Sequence, residues 1–254
     1  MRQTGPTEMV NKSLGQHWLK NRAILNEIAD LACSGQKEPL CVEIGPGLGT
    51  LTASLLKRFD RVIAVEYDVD LAKKLPGSFP GTNLEVVAED FLKYEPKGIT
   101  SYVVVGNIPY YITSPIIEKI LTMKPLAKRA VLLMQKEVAE RVCDEKESVL
   151  SLFVKNRAVC SLGPVVPREE FEPAPKVDSQ VLILEPLLNG PKYEEPLMKF
   201  IKIAFKSPRK KLIHNLSVIK PRHEWEEIFA KLNLNPNSRP ADLHLDDYYR
   251  LFVL

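Results

Sequence analysis

No stretch of the chain approaches the roughly 18 apolar residues of a membrane-spanning helix. Met1 to Lys20 also lacks the apolar centre of a secretory signal. A folded protein of the cytoplasm, with no membrane partner, is therefore expected. Cysteine is sparse: Cys33, Cys41, Cys143 and Cys160 are scattered without a C-x-x-C pair. That argues against a zinc site or a disulfide framework and leaves ordinary buried thiols, so no metal is expected. Internal repeats, low-complexity tracts and coiled-coil heptads are missing too, which excludes a solenoid and favours a monomer.

What is present is enough for a packed core: 45% of residues are apolar and 26% charged. A chain of 254 residues accommodates a doubly wound α/β unit with a small appendage. Its 35 basic residues nearly balance its 32 acidic ones, but the balance is uneven along the chain. From Leu187 to Leu254 there are 12 Lys and Arg against 8 Asp and Glu, leaving 23 against 24 for the first 186 residues. A second basic cluster, Lys12, Lys20 and Arg22, precedes the first predicted helix. Together these groups could face phosphates or simply solvate exposed surfaces, and charge alone does not decide between the two.

From Leu40 to Leu184 short β-branched or apolar runs alternate with amphipathic stretches, the pattern of βαβ units around a parallel sheet. Strands are predicted at Leu40–Ile44, Val62–Glu66, Leu84–Ala88, Tyr102–Gly106, Ala130–Met134 and Ser179–Leu184. Helices are predicted at Leu48–Arg58, Val69–Lys74, Ser114–Met123 and Lys136–Asp144. Such alternation implies right-handed crossovers with helices on both faces. After the breakers Pro186, Asn189, Gly190 and Pro191, helical patterns run through Pro196–Phe205, Arg209–Val218, Glu224–Leu232 and Ala241–Leu251. The expected division is an α/β catalytic domain over 1–186 and an all-helical domain over 187–254.

Glu43-Ile44-Gly45-Pro46-Gly47-Leu48-Gly49 ends a predicted strand and opens a helix, so a ligand can approach the backbone closely. A dinucleotide fingerprint places its third glycine one residue later. The G-x-G-x-G form suits a methyltransferase better than a nicotinamide dehydrogenase. Glu66, 21 residues beyond Gly45 at the end of the next strand, stands where a carboxylate accepts both ribose hydroxyls. Asp90 follows the third strand and could accept a hydrogen bond from an adenine amine of the cofactor.

The most specific signal is Asn107-Ile108-Pro109-Tyr110, directly after an apolar strand. An adenine amine is a poor nucleophile because its lone pair is delocalised into the ring. Acceptors aimed at its hydrogens favour the pyramidal form that attacks an electrophilic methyl. The Asn107 side-chain oxygen and the Ile108 carbonyl supply acceptors, Pro109 holds Ile108 extended, and Tyr110 offers a face for a base lifted from its stack. Such chemistry rests on positioning and preorganised dipoles and requires no metal.

With Lys12-Ser13-Leu14-Gly15-Gln16-His17-Trp18-Leu19, Phe171-Glu172-Pro173-Ala174-Pro175-Lys176-Val177-Asp178-Ser179 and Arg209-Lys210-Lys211 added, nearly the whole chain resembles the KsgA family of ribosomal RNA small-subunit adenine dimethyltransferases. The resemblance implies a Rossmann-like class I methyltransferase that uses S-adenosylmethionine and releases S-adenosylhomocysteine. It implies dimethylation of two adjacent adenines near the 3′ end of small-subunit RNA, in a pre-30S particle. By the family's motifs His17, Leu19, Gly45, Gly47, Glu66, Asp90 and Asn107 hold the cofactor, and Phe171 stacks on the target base opposite Tyr110. Lys12, Lys20, Arg22, Arg209, Lys210 and Lys211 would meet RNA phosphates. His17-Trp18 stands where the family often has Asn-Phe. Two other readings stay open: an Erm-like methyltransferase of large-subunit RNA, and a non-catalytic RNA-binding or transcription-associated factor on the same fold.

Overall fold

The computed structural model describes residues 17–33, 38–187 and 189–254, and the side chains of Glu38 and Tyr110 are outside the description. The expected contacts of Lys12 and of positions 13–16 therefore lie outside the described residues. In chain order a short strand β1 (Trp18–Leu19) precedes α1 (Arg22–Cys33), β2 (Glu38–Ile44), α2 (Thr52–Leu55), β3 (Phe59–Glu66), α3 (Val69–Ser78) and β4 (Leu84–Ala88). The chain continues through β5 (Val103–Asn107), α4 (Thr113–Ile120), β6 (Arg129–Gln135), α5 (Lys136–Cys143), α6 (Val149–Lys155), β7 (Ala158–Val166), β8 (Phe171–Glu172) and β9 (Ser179–Pro186). Four helices follow: α7 (Glu194–Ala204), α8 (Leu212–Leu216), α9 (Arg222–Lys231) and α10 (Leu245–Phe252). No helix among the described residues is long and apolar enough to cross a membrane.

Seven strands form one sheet in the order β4-β3-β2-β5-β6-β9-β7. The first five are mutually parallel, and β9 runs antiparallel to β6. The chain moves outward from β2 through β3 to β4, then returns to place β5 on the other side of β2. That reversal leaves a crevice at the carboxyl ends of β2 and β5, where open α/β sheets take their ligands. Cys41, Val62, Val103, Val105, Val131, Leu133 and Val181 point to one face, where they pack with Leu25, Ile28 and Ala29 of α1 and Leu55 of α2. The alternate residues Val42, Val104, Leu132 and Leu182 are equally buried, so both faces are covered, as a parallel sheet requires. A doubly wound α/β fold is the result.

The chain separates into two compact units, one comprising residues up to Ala139 with Ser161–Pro186, the other Glu140–Cys160 with Leu187–Leu254. One change of unit falls between Pro186 and Leu187, and Glu140–Cys160 belongs to the second unit. The reason is polar as well as apolar. Buried Asn156 accepts from Lys192 N at 3.1 Å and Tyr249 Oη at 2.7 Å and donates to Lys192 O at 3.2 Å, and Glu147 N donates to Ala241 O. Local pattern could not reveal partners so distant in sequence. Inside this unit Phe200, Trp225 and Tyr248 cluster, with ring centroids 6.2 and 6.5 Å from Phe200.

Two expected helices are half the length of their patterns or less. The helix over Leu48–Arg58 shrinks to one turn, because Gly49 has φ +81° and β3 already starts at Phe59. The helix over Arg209–Val218 starts at Leu212, which leaves Arg209, Lys210 and Lys211 exposed in the preceding turn. Three cations in a first helical turn would oppose the helix dipole; in the turn they do not.

Candidate active site

A cavity of about 350 Å³ opens at the carboxyl ends of the parallel strands. His17, Gly45, Gly47, Glu66, Asp90, Asn107, Ile108 and Pro109 line it. Residues at the ends of four strands and from the N-terminal segment, up to 92 positions apart, thus share one space.

Glu66 ends β3 with 5% exposure. One carboxylate oxygen accepts from Gly47 N at 2.9 Å, the other from Asp68 N at 2.8 Å. Burial raises its pKa above the usual carboxylate value, against the pull of the Asp68 and Gly47 amides. Both oxygens are thereby oriented, and each retains a lone pair for a hydroxyl donor. Gly47 sits at φ +56°, and a Cβ there would lie 3.0 Å from Trp18 Nε1. Glycine is needed both for the left-handed turn and for the close approach of Trp18, which itself lines the cavity. At β5, a Cβ on Gly106 would come within 2.9 Å of Ile44 Cβ and 3.1 Å of Ile44 O. Gly106 therefore allows β5 to approach β2 at the point where Asn107 enters the cavity.

The Asn107 Nδ2 donates to His17 O at 2.9 Å. A flipped amide would set two oxygens against each other, so this bond fixes which end of the side chain is which. Ile108 is buried, its N–H donating to Leu133 O at 2.8 Å, and Pro109 takes φ −58° and ψ 134°. Asp90 Oδ1 accepts from Leu92 N at 3.0 Å, which holds its carboxylate at the rim. His17 Nδ1 lies 2.7 Å from Pro173 O.

Two expected site residues are elsewhere. Leu19 and Phe171 face each other in the β1–β8 pairing and are 2% and 4% exposed, both within the main core cluster. Neither is among the residues that line the cavity. Pro173 and Pro175 suggested an exposed loop, but pairing with Leu19, 152 residues away, draws Phe171 inward. The ring of Tyr110 lies outside the described residues. Lys20 is exposed and paired with Glu172, and Arg22 is exposed at the start of α1. Lys211 Nζ donates to Asn237 Oδ1 at 2.6 Å, and Lys210 Nζ is 3.2 Å from His214 Nε2. Trp18 and Glu43 were not anticipated, although an acid inside the apolar run Leu40–Ile44 is a readable signal.

Glu43 is 1% exposed and accepts from Thr52 Oγ1 at 2.6 Å. Burial pushes its pKa up to about 8 from an ordinary 4.5, the Thr52 bond opposing and Glu66 adding to the rise. Between those values the folded chain keeps a proton that the unfolded chain releases. This group's contribution to stability therefore falls as pH rises through that window, by ~1.4 kcal/mol per unit. Glu43→Gln keeps an acceptor for Thr52 and removes the titration. Thermal melts from pH 5 to pH 8 should fall less steeply for the variant than for the parent; parallel curves would rule the titration out.

Fold and cavity define a methyltransferase of the Rossmann-like class, built for an S-adenosylmethionine-type cofactor. The oriented Glu66 carboxylate and the glycine turn at Gly45–Gly47 fit the ribose and tail of such a molecule, and the volume is in the range of small-molecule sites. The chain belongs to the ribosomal RNA adenine dimethylase family, whose model matches residues 7–254. It is 34% identical over 260 residues to a ribosomal RNA small subunit methyltransferase A of Mycoplasma mycoides, covering 96% of both chains. Against the protein of that name in Crocosphaera subtropica the identity is 37%, covering 94% of this chain and 96% of the relative. Among solved structures it is similar to a dimethyladenosine transferase from Plasmodium falciparum (TM-score 0.75, 28% identity, 92% and 95% covered). It is equally similar to the 23S rRNA methyltransferase ErmE (TM-score 0.75, 28% identity, 93% and 98% covered). The chain is an rRNA adenine dimethyltransferase.

Proposed function

We propose that this enzyme uses S-adenosylmethionine to dimethylate the exocyclic amines of two adjacent adenines near the 3′ end of small-subunit ribosomal RNA. It releases S-adenosylhomocysteine and acts as a monomer on a pre-30S particle in the cytoplasm. The observation that carries this reading is the Asn107 amide, whose nitrogen is taken by His17 O. Its oxygen end is left to accept from an incoming amine. The cofactor, when bound, supplies a methyl on a sulfonium and with it the electrophilic activation. The chain's own residues do the rest. Glu66 holds the ribose, Asp90 accepts from the cofactor's adenine amine, and His17 and the Gly45–Gly47 turn border the tail. Asn107 Oδ1 and the Ile108 carbonyl accept from the target amine, turning its lone pair towards the methyl. Pro109 keeps Ile108 extended so that its carbonyl holds one direction.

A small-subunit target is favoured over a large-subunit one by the names and the 34–37% identities of the curated relatives. Mapping by reverse-transcription stops, on RNA from cells with and without the protein, should show two adjacent stops near the small-subunit 3′ end that depend on it. Stops confined to large-subunit RNA would reverse the choice, and none at all would favour a non-catalytic factor.

Residues 187–254 are proposed to bind RNA through the exposed turn Arg209-Lys210-Lys211, with Lys20 and Arg22 as further phosphate contacts. The Arg209→Ala, Lys210→Ala, Lys211→Ala triple variant should bind more weakly. Its log Kd against log salt should flatten by about 2 to 3, as expected for three lost phosphate contacts at roughly 0.7–0.9 each. An unchanged slope would mean that the turn is only a solvated surface.

A further inference from the structure

The spacing of the four cysteines shows no pairing, and read from sequence they are ordinary buried thiols. Two of them are. Cys33 and Cys41 are 5% and 0% exposed in the main core cluster, with Cys33 Sγ donating to Ala29 O at 2.9 Å. Cys143 and Cys160 differ. Both are only half-buried, Cys143 as the last residue of α5 and Cys160 within β7, the strand at one end of the sheet.

The fold brings these two thiols together. Cys160 Sγ donates to Val142 O at 3.7 Å, which sets it against the residue before Cys143. The Cys143 and Cys160 side chains are also hydrogen-bonded to each other. That bond is the main reason why Cys160 is held below the ordinary thiol value; burial opposes it, Lys155 adds to it and Glu147 works against it. The same bond, with burial behind it, holds Cys143 above that value. Lys155 is itself placed by bonds of 2.7 Å to Asp144 O and 2.7 Å to Glu147 Oε1. The pair is thus polarised into one thiol that ionises first and one that keeps its proton. A readily ionised, solvent-reached thiol beside a second thiol is the arrangement of a peroxide-reactive site with its resolving cysteine.

We propose that Cys143 and Cys160 form a thiol modification site, in which a hydroperoxide oxidises the pair reversibly to a disulfide. The Cys160 thiolate attacks one peroxide oxygen: an S–O bond forms, the O–O bond breaks, and the leaving hydroxide takes up the proton that Cys160 released. The Cys143 sulfur then attacks the resulting sulfenic acid. An S–S bond forms, the S–O bond breaks, and the hydroxyl departs as water with the Cys143 proton. Sulfur thereby gives two electrons to oxygen. The cross-link closes the segment that carries α6, together with Asn156 and Glu147, which tie it to Lys192, Tyr249 and Ala241. Oxidation therefore braces this segment and spares Cys160 from irreversible sulfinic acid. In a reducing compartment the pair stands as thiols. The chemistry does not depend on which RNA is methylated.

The test exposes the reduced full-length enzyme to hydrogen peroxide at neutral pH, beside Cys143→Ser and Cys160→Ser. Peptide mapping by mass spectrometry should find a Cys143–Cys160 disulfide in the parent, reversed by dithiothreitol, with Cys33 and Cys41 still free. Cys143→Ser should instead carry a sulfenic acid on Cys160 that dimedone traps, and in Cys160→Ser the oxidation of Cys143 should slow by about fivefold. The oxidised parent should melt about 5 °C above the reduced one, the scale expected from closing a loop of this length. Separate sulfenic or sulfinic acids without a link, a link to another cysteine, oxidation of Cys143 at the parent rate without Cys160, or an oxidised form no more stable than the reduced one would each overturn the proposal.

Discussion

Asn107→Ala is expected to lower the turnover of methyl transfer by on the order of 10²- to 10³-fold, the scale of removing one preorganised polar group from a transition state. The side chain has two separable jobs. Its nitrogen ties β5 to the N-terminal segment through His17 O, and its oxygen is proposed to accept from the target amine. Loss of the first should loosen the segment that carries Trp18 and so weaken S-adenosylhomocysteine binding, by less than about tenfold for one neutral hydrogen bond. Loss of the second should appear in kcat alone. Single-turnover kinetics at saturating cofactor separate the two. A variant whose turnover stays within threefold of the parent would remove Asn107 from the chemistry.

Glu66→Ala should have the largest effect on cofactor affinity, weakening S-adenosylhomocysteine by on the order of 100-fold if two charge-assisted hydrogen bonds to the ribose are lost. The substitution also strips Gly47 N–H and Asp68 N–H of their acceptor, so the turn that borders the cavity loses its anchor. Glu66→Gln should fail as well. Each oxygen now accepts from a backbone N–H, so an amide nitrogen in either place would set donor against donor. Calorimetric titration checks both variants, and a glutamine variant that binds within threefold of the parent would show that the carboxylate is not needed.

Much of this site was legible because its parts stand at fixed places in a repeating pattern. Glycines after β2, an acid at the end of β3, another after β4 and Asn107 at the end of β5 follow from strand ends that β-branched runs make visible. The structure brings those tips together because the strands are parallel. What escaped was non-local. The pairing of Leu19 with Phe171 joins segments more than 150 residues apart, and no local composition announces it. The edge strand β7 was hidden for another reason. Gly163 and Pro164 lie within it, and its burial shows no clean alternation, a composition tolerated only where one side of a strand lacks a partner. Glu43 was readable and overlooked: an acid in a strand buried on both faces must be bonded and protonated or paired.

The account turns on one arrangement, in which the oxygen of Asn107 and the carbonyl of Ile108 stand beside the site of the transferable methyl. A crystal structure with S-adenosylhomocysteine and the target RNA hairpin tests it most directly. The adenine N6 should lie about 3 Å from Asn107 Oδ1 and from Ile108 O, with the cofactor ribose on Glu66. An adenine amine held by other groups, with Asn107 still turned only to His17, would contradict it.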